Sequence, residues 1–364
     1  MHDDYTYFQD QEFRTSLAAY ERMQAGGETV ELDAETLTDI AEFYAMSQRN
    51  DEANRCIQYA LAFYPDSVDP KIFLARQQMF VGNIQKAWEI CDSIAEQDDR
   101  EVIFLRAELY LIGQEEEMAY NLLFDSYLND QEDAAEFLYD SIGILKDYGL
   151  AEKALEWTDI LRSQYPDYLA AIPLQAEILI MKDENETAIK ILDSYLHEMP
   201  FDTQAWLIMS EALEDEERFD EALEAVDYVL AINSEHADAL LARGNILFDC
   251  TQIEEALKYY QMFLSYYPDD VSGICHEVQC LIILQEYRTA IDRLLFLLRH
   301  DNQLLPGFCY SYIAYCHDKL GHKEECLRYR KLAEKEPFHN LAYLFPDLYP
   351  DKGIMPDWDL DLLY

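Results

Sequence analysis

Apolar side chains recur along this chain at spacings of three and four, in short runs broken by polar turns. That period puts them on one face of a helix and predicts a succession of amphipathic helices instead of strands. The runs also repeat one another. RNDEANRCIQYALAFYPD, from residue 49, and FDEALEAVDYVLAINSE, from residue 219, share an acid-Glu-Ala opening, an apolar residue four later and another three beyond. The alanines that open such runs are Ala53, Ala87, Ala154, Ala188, Ala222, Ala256 and Ala290, at intervals of 34, 67, 34, 34, 34 and 34. The interval of 67 holds one shortened repeat, whose small residue is Ala119.

Each repeat resolves into two helices. The second opens near the alanine, a residue small enough to let two helix backbones approach closely. It ends before a proline twelve residues on at Pro65, Pro166, Pro200 and Pro268, since proline suits a turn but not a helix interior. The first helix carries its own stripe: Trp206, Met209, Ser210 and Leu213 in one repeat, Leu240, Gly244 and Leu247 in the next, with Gly82 in the turn ahead of Ala87. An early Trp or Leu, a small residue four later, a turn glycine, the alanine and then proline resemble the tetratricopeptide repeat. The resemblance covers about residues 34 to 338 and counts nine units, the third and ninth least regular. The ninth follows a two-residue insertion and has Cys326 in the alanine's place. The resemblance implies an all-α, right-handed superhelical solenoid of stacked helix-turn-helix units.

Both ends read as covers for the stack. Phe13, Leu17 and Tyr20 lie at helical spacing before Gly26-Gly27, so residues 1–33 are expected to form a capping helix and hinge. Similar acidic bacterial repeat proteins begin with such a helix. Residues 34–338 form the solenoid. Residues 339–364, HNLAYLFPDLYPDKGIMPDWDLDLLY, form an acidic-aromatic tail in which Pro346, Pro350 and Pro356 exclude one long helix. Three readings stay open for this tail: a cap on the last unit, a docking motif, or a self-inhibitory ligand of the chain's own groove.

Charge then narrows the partners. Against 73 acidic residues stand 27 basic ones, a formal net charge of −46. Such a surface repels nucleic-acid phosphates and anionic membranes, so neither is expected as a partner. The start of the chain lacks the basic and apolar runs of a signal peptide, and the eight cysteines form no CxxC pair. A reduced, cytoplasmic protein is therefore expected.

Catalytic signatures are absent: GxSxG, GxxxxGK[ST], HExxH and GxGxxG do not occur. The chain is expected not to be an enzyme and to need no cofactor or metal. His322 with Cys326, and Cys275-His276 with Cys280, have metal-compatible spacing. Cys326 falls on a buried place and His322 in a turn, which argues against a shared site.

The resemblance implies that the first helix of each unit lines a concave groove. Its non-core places are Arg76, Met79, Phe80, Tyr110, Tyr139, Glu177, Met181, Glu211, Glu214, Asp215, Asn245, Phe248, Asp249 and Tyr315. The lining is aromatic and acidic, without the Lys, Arg and Asn set that family members use to clamp a C-terminal carboxylate. The expected role is a protein–protein interaction scaffold or adaptor that takes a basic or apolar partner segment. The alternative is a peptide- or effector-sensing regulator whose superhelix changes pitch.

Overall fold

A computed structural model describes residues 8, 10–26, 31–47, 49–129, 133–299, 306–336 and 339–349. Among these residues the regular structure is entirely helical. Helix α1 (Gln11–Gln24) precedes nine pairs. They are α2 (Ala34–Met46) with α3 (Asn50–Phe63), α4 (Val68–Phe80) with α5 (Ile84–Asp92), and α6 (Arg100–Ile112) with α7 (Glu116–Asn129). Next come α8 (Ala134–Asp147) with α9 (Ala151–Gln164), α10 (Ala171–Met181) with α11 (Asn185–Glu198), and α12 (Thr203–Asp215) with α13 (Phe219–Ile232). The last pairs are α14 (Ala237–Asp249) with α15 (Ile253–Tyr266), α16 (Val271–Ile283) with α17 (Tyr287–Arg299), and α18 (Pro306–Lys319) with α19 (Lys323–Ala333). A single turn, α20 (Leu341–Leu344), follows.

Local chemistry explains the boundaries. Several first helices begin with an aspartate whose carboxylate accepts from backbone N–H groups of the opening turn: Asp33 from Thr36, Asp99 from Glu101 and Val102, Asp202 from Ala205, and Asp270 from Gly273. These caps satisfy donors that have no carbonyl partner inside the helix. Between the two helices of each pair from α4–α5 to α18–α19 the chain passes through one left-handed residue. Gly82, Gly149 and Gly321 hold it at φ near +76° to +78°. Gln114, Asp183, Glu217, Thr251 and Gln285 take the same place with φ of 56–64°, where a side chain is strained. The second helices α3, α9, α11 and α15 end two residues before Pro65, Pro166, Pro200 and Pro268, as the proline spacing predicts.

The chain divides into two compact units, Met1–Ala171 and Ile172–Tyr364. In the first, α1 lays Phe13 and Tyr20 on Leu37, Ile40, Ala41 and Tyr44 of α2, and Cys56 and Ile57 of α3 complete that core. In the second, Ile274, Cys275, Val278 and Leu281 of α16 pack among Phe263, Leu264, Leu294, Phe308 and Tyr312. Buried apolar area supplies the main stabilisation in each unit. Burial also explains the cysteines: all eight are free, and desolvation pushes the Cys56, Cys275, Cys280 and Cys316 thiols up to about 12. They stay protonated and unreactive near neutral pH.

The last described residues lie against the final pair. Leu341 and Phe345 are buried with Ala314, Cys326 and Ala333. The Asn340 backbone N–H donates to Ser311 Oγ at 3.1 Å. The Tyr349 hydroxyl donates to Glu334 and accepts from Arg330 at 3.1 Å. Residues 350–364 of the tail lie outside the described residues.

Candidate functional site

Within the first unit α2 touches α4, α4 touches α6 and α6 touches α8; within the second, α12 touches α14. Among the described residues, consecutive second helices make no comparable approach. These first helices pack directly on one another, the layer that the resemblance implies is concave. Twelve of the fourteen candidate positions sit at corresponding places on these helices, Tyr110 and Tyr139 being the exceptions, and their surroundings differ.

In the first unit an acid-base-acid ladder runs across three helices. Arg76 on α4 donates from Nε and Nη2 to Glu108 on α6, at 3.2 and 3.4 Å, and reaches Glu101 at 3.5 Å. Burial works against its charge, but Glu108, Glu101 and Glu42 outweigh it and raise the guanidinium's pKa. Tyr148, just after α8, also belongs here: burial, then Glu108, pushes its hydroxyl up to about 12. Met79 packs against the core of Ile72, Ala75 and Leu105, whereas Phe80 is 93% exposed at the end of α4. Tyr139 lies 5.7 Å from the ring of Tyr168, and Arg100 pairs beside it with Asp140 at 2.7 Å.

Tyr110 departs from the expected place. Its ring meets Trp88 of α5 edge-on at 5.0 Å, so it packs against the second layer. The third unit is two residues short, with Ala87 and Ala119 only 32 apart. Adding 34 to Arg76 overshoots, and Glu108 occupies the matching position. The spacing of the alanines held that signal.

The second unit concentrates carboxylates. Glu214 of α12 is half-buried and lies near the exposed Asp249 of α14. Burial first, then the charges of Asp249, Asp215 and Glu211, pushes its carboxyl up to about 8. Burial and like charge both disfavour the Glu214 carboxylate, so this carboxyl holds its proton at neutral pH. Asp215 is raised as well, by burial and then by Asp183 and Glu216. Asn245 accepts from the Tyr260 hydroxyl at 2.9 Å, and Phe248 packs on Ile253 and Tyr260. Met181 is exposed and Glu177 half-buried on α10. Tyr315 meets Phe345 edge-on at 6.3 Å, with the Lys319 ammonium 4.9 Å above its ring. The chain's own terminal turn therefore covers it.

The two histidine-cysteine groupings do not converge. Cys326 is buried while His322 is exposed at the start of α19, its Nδ1 3.2 Å from that of His317. His276 stacks on Tyr260 while Cys275 and Cys280 point into the core. Among the described residues no group of three His, Cys, Asp or Glu side chains could hold a metal ion. Nor is any described helix long and apolar enough to cross a membrane.

What decides the repeat type is the crossing alanine. Ala53, Ala87, Ala119, Ala154, Ala188, Ala222, Ala256 and Ala290 are each 0% exposed, one in every second helix from α3 to α17. The fold is an all-α solenoid whose helix pairs repeat as tetratricopeptide units do. No family model and no curated protein matches its sequence. Among solved structures, a tetratricopeptide repeat protein from Parabacteroides merdae ATCC 43184 aligns at 14% identity and TM-score 0.48, over 69% of this chain and 97% of that one. MamA aligns at 17% and 0.40, over 44% of this chain and 92% of its own. MamA residues 41-end from Desulfovibrio magneticus RS-1 align at 16% and 0.39, over 47% and 97%. The assignment of this solenoid rests on its own repeat register.

Proposed function

We propose that this protein is a non-catalytic, cytoplasmic interaction scaffold whose inner face takes a basic or apolar segment of a partner protein. The observation that carries the reading is Glu214 beside Asp249. A half-buried carboxyl kept protonated by burial and neighbouring acids is a site that a lysine or arginine side chain would satisfy, with release of that proton. Exposed Phe80 and Met181 supply apolar contact area elsewhere on the first helices. Clamping an acidic C-terminal carboxylate is disfavoured, since such a group would meet Glu211, Glu214, Asp215 and Asp249.

Peptide titration tests this. A lysine-containing apolar peptide should bind, and should bind more tightly from about pH 6 to about pH 9 as Glu214 gives up its proton. Glu214→Gln/Asp249→Asn should remove that pH dependence. Micromolar binding of an acidic C-terminal peptide, or binding unaffected by Glu211→Lys/Asp215→Lys, would overturn the reading.

The regulator reading draws on a second observation. The extensive helix contacts join elements no more than two apart in chain order, so small changes at each junction can accumulate along the stack. It requires a change in radius of gyration when peptide binds; a scaffold leaves that radius unaltered.

A further inference from the structure

The second unit carries an apolar surface that the inner face does not use. Tyr228 and Ile232 stand one turn apart on the outer side of α13, and Met262 and Tyr266 occupy the same two places one repeat later on α15. All four are exposed, Tyr228 by 56%. The repeat does not demand apolar residues here, because α11 has exposed Ser194 and Glu198 at the matching positions.

The patch extends beyond these four residues. Trp206 stacks on Tyr228 at 4.5 Å and 17°, and its indole N–H donates to the Pro200 carbonyl at 3.0 Å. That bond holds the indole beside the turn bearing Phe201, which is 80% exposed. At the other end desolvation and the charge of Glu235, just beyond α13, raise the pKa of the Tyr266 hydroxyl on α15. Arg243 of α14 joins the same two helices deeper down, paired with Asp227 of α13 while lying 4.9 Å above the Tyr259 ring of α15. Single exposed apolar residues need no explanation, but a set repeated on two helices beside a fixed aromatic stack marks an interaction surface.

Charge selects the occupant. Glu198, Glu224 and Glu235 are exposed around the margin, in a chain of net charge −46. A second copy would bring the same acids against them, and like charges across an interface oppose association. Apolar side chains at matching places on α13 and α15, two helices bridged by Arg243, suit the apolar stripe of an added helix. We propose that this outer surface of α13 and α15, with Trp206 and Phe201, docks a basic amphipathic helix of a partner protein. The apolar stripe lies on Tyr228, Ile232, Met262 and Tyr266, and its flanking Lys and Arg face the acidic margin. This site is separate from the inner face and does not depend on the reading given above.

The test uses the full chain with Glu211→Lys/Asp215→Lys, which disables the inner face, and a short Leu/Lys peptide patterned as an amphipathic helix. Fluorescence anisotropy should show the peptide binding this protein, and Tyr228→Ser/Met262→Ser on the same background should weaken it about tenfold or more. Tyr228→Phe should keep the affinity, and a peptide with Glu in place of Lys should not bind. These exposed substitutions should leave thermal melting unchanged, so lost binding would report the surface and not the fold. The proposal is overturned if inner-face reversal alone abolishes binding, if the Tyr228/Met262 variant binds as tightly, or if the Leu/Glu peptide binds equally well. Light scattering that finds a wild-type dimer, made monomeric by Tyr228→Ser/Met262→Ser, would assign the surface to a second copy and overturn it too.

Discussion

Gly244 lies against the ring of Tyr260, so close that a β-carbon built on it would stand 2.6 Å from the ring's Cε1 atom. Tyr260 is fully buried and its hydroxyl is held by Asn245 at 2.9 Å, so the ring cannot swing aside. Alanine would favour the helix by about 1 kcal/mol on propensity alone. Overpacking opposes it by about 1–3 kcal/mol. Gly244→Ala should therefore lower stability, and thermal melting should show a reduced midpoint; an unchanged or raised one would mean the ring can move.

The ladder of Arg76 with Glu108 gives a second expectation. The Arg76 side chain is only 19% exposed and Glu108 16%, so removing one partner strands a charge. Arg76→Leu should destabilise by about 3 kcal/mol. Arg76→Leu/Glu108→Leu should recover much of that loss, because no unpaired charge remains. Urea denaturation of both variants measures the difference, and equal stabilities would show the pair to be incidental.

Glu214 makes stability depend on pH with an unusual sign. Its carboxyl keeps a proton in the folded state up to about 8, whereas the unfolded chain releases it near the ordinary glutamate value. Over that window the folded state binds more protons, so stability falls as pH rises and levels off above the folded value. Glu214→Gln should flatten that part of the profile and stabilise the protein by about 1–2 kcal/mol in mildly alkaline buffer. A steeper decline in the variant would contradict the assignment.

Leu341 and Phe345 shield Cys326, which is 6% exposed. Leu341→Ala/Phe345→Ala removes much of that cover and should loosen the terminal turn by about 2–5 kcal/mol. The readout is the rate at which a thiol reagent modifies Cys326. Acceleration fits a structural cover, while an unchanged rate would leave the shielding to α18 and α19 alone.

How far the sequence reached varies along the chain. Helix pairs, their proline-marked ends and the crossing alanines were legible, since each follows from a local rule repeated in register. Gln114, Asp183, Glu217, Thr251 and Gln285 hide the same left-handed turn that Gly82 announces, because the stack holds them there despite the strain. The candidate site was legible only as a set of positions. Adding 34 led to Tyr110, which faces Trp88, and passed over Glu108, because the short third unit moves the register by two.

The sequence by itself determined the repeating helix pair, the acidity and the composition of the first-helix face. These depend on the order of residues along one helix and the next. Tertiary structure alone decided that Arg76 is held by Glu108, that burial and neighbouring acids raise the Glu214 carboxyl, and that Trp206 stacks on Tyr228. A charge's protonation and a ring's exposure depend on distance and solvent access in space, and periodicity along the chain encodes neither.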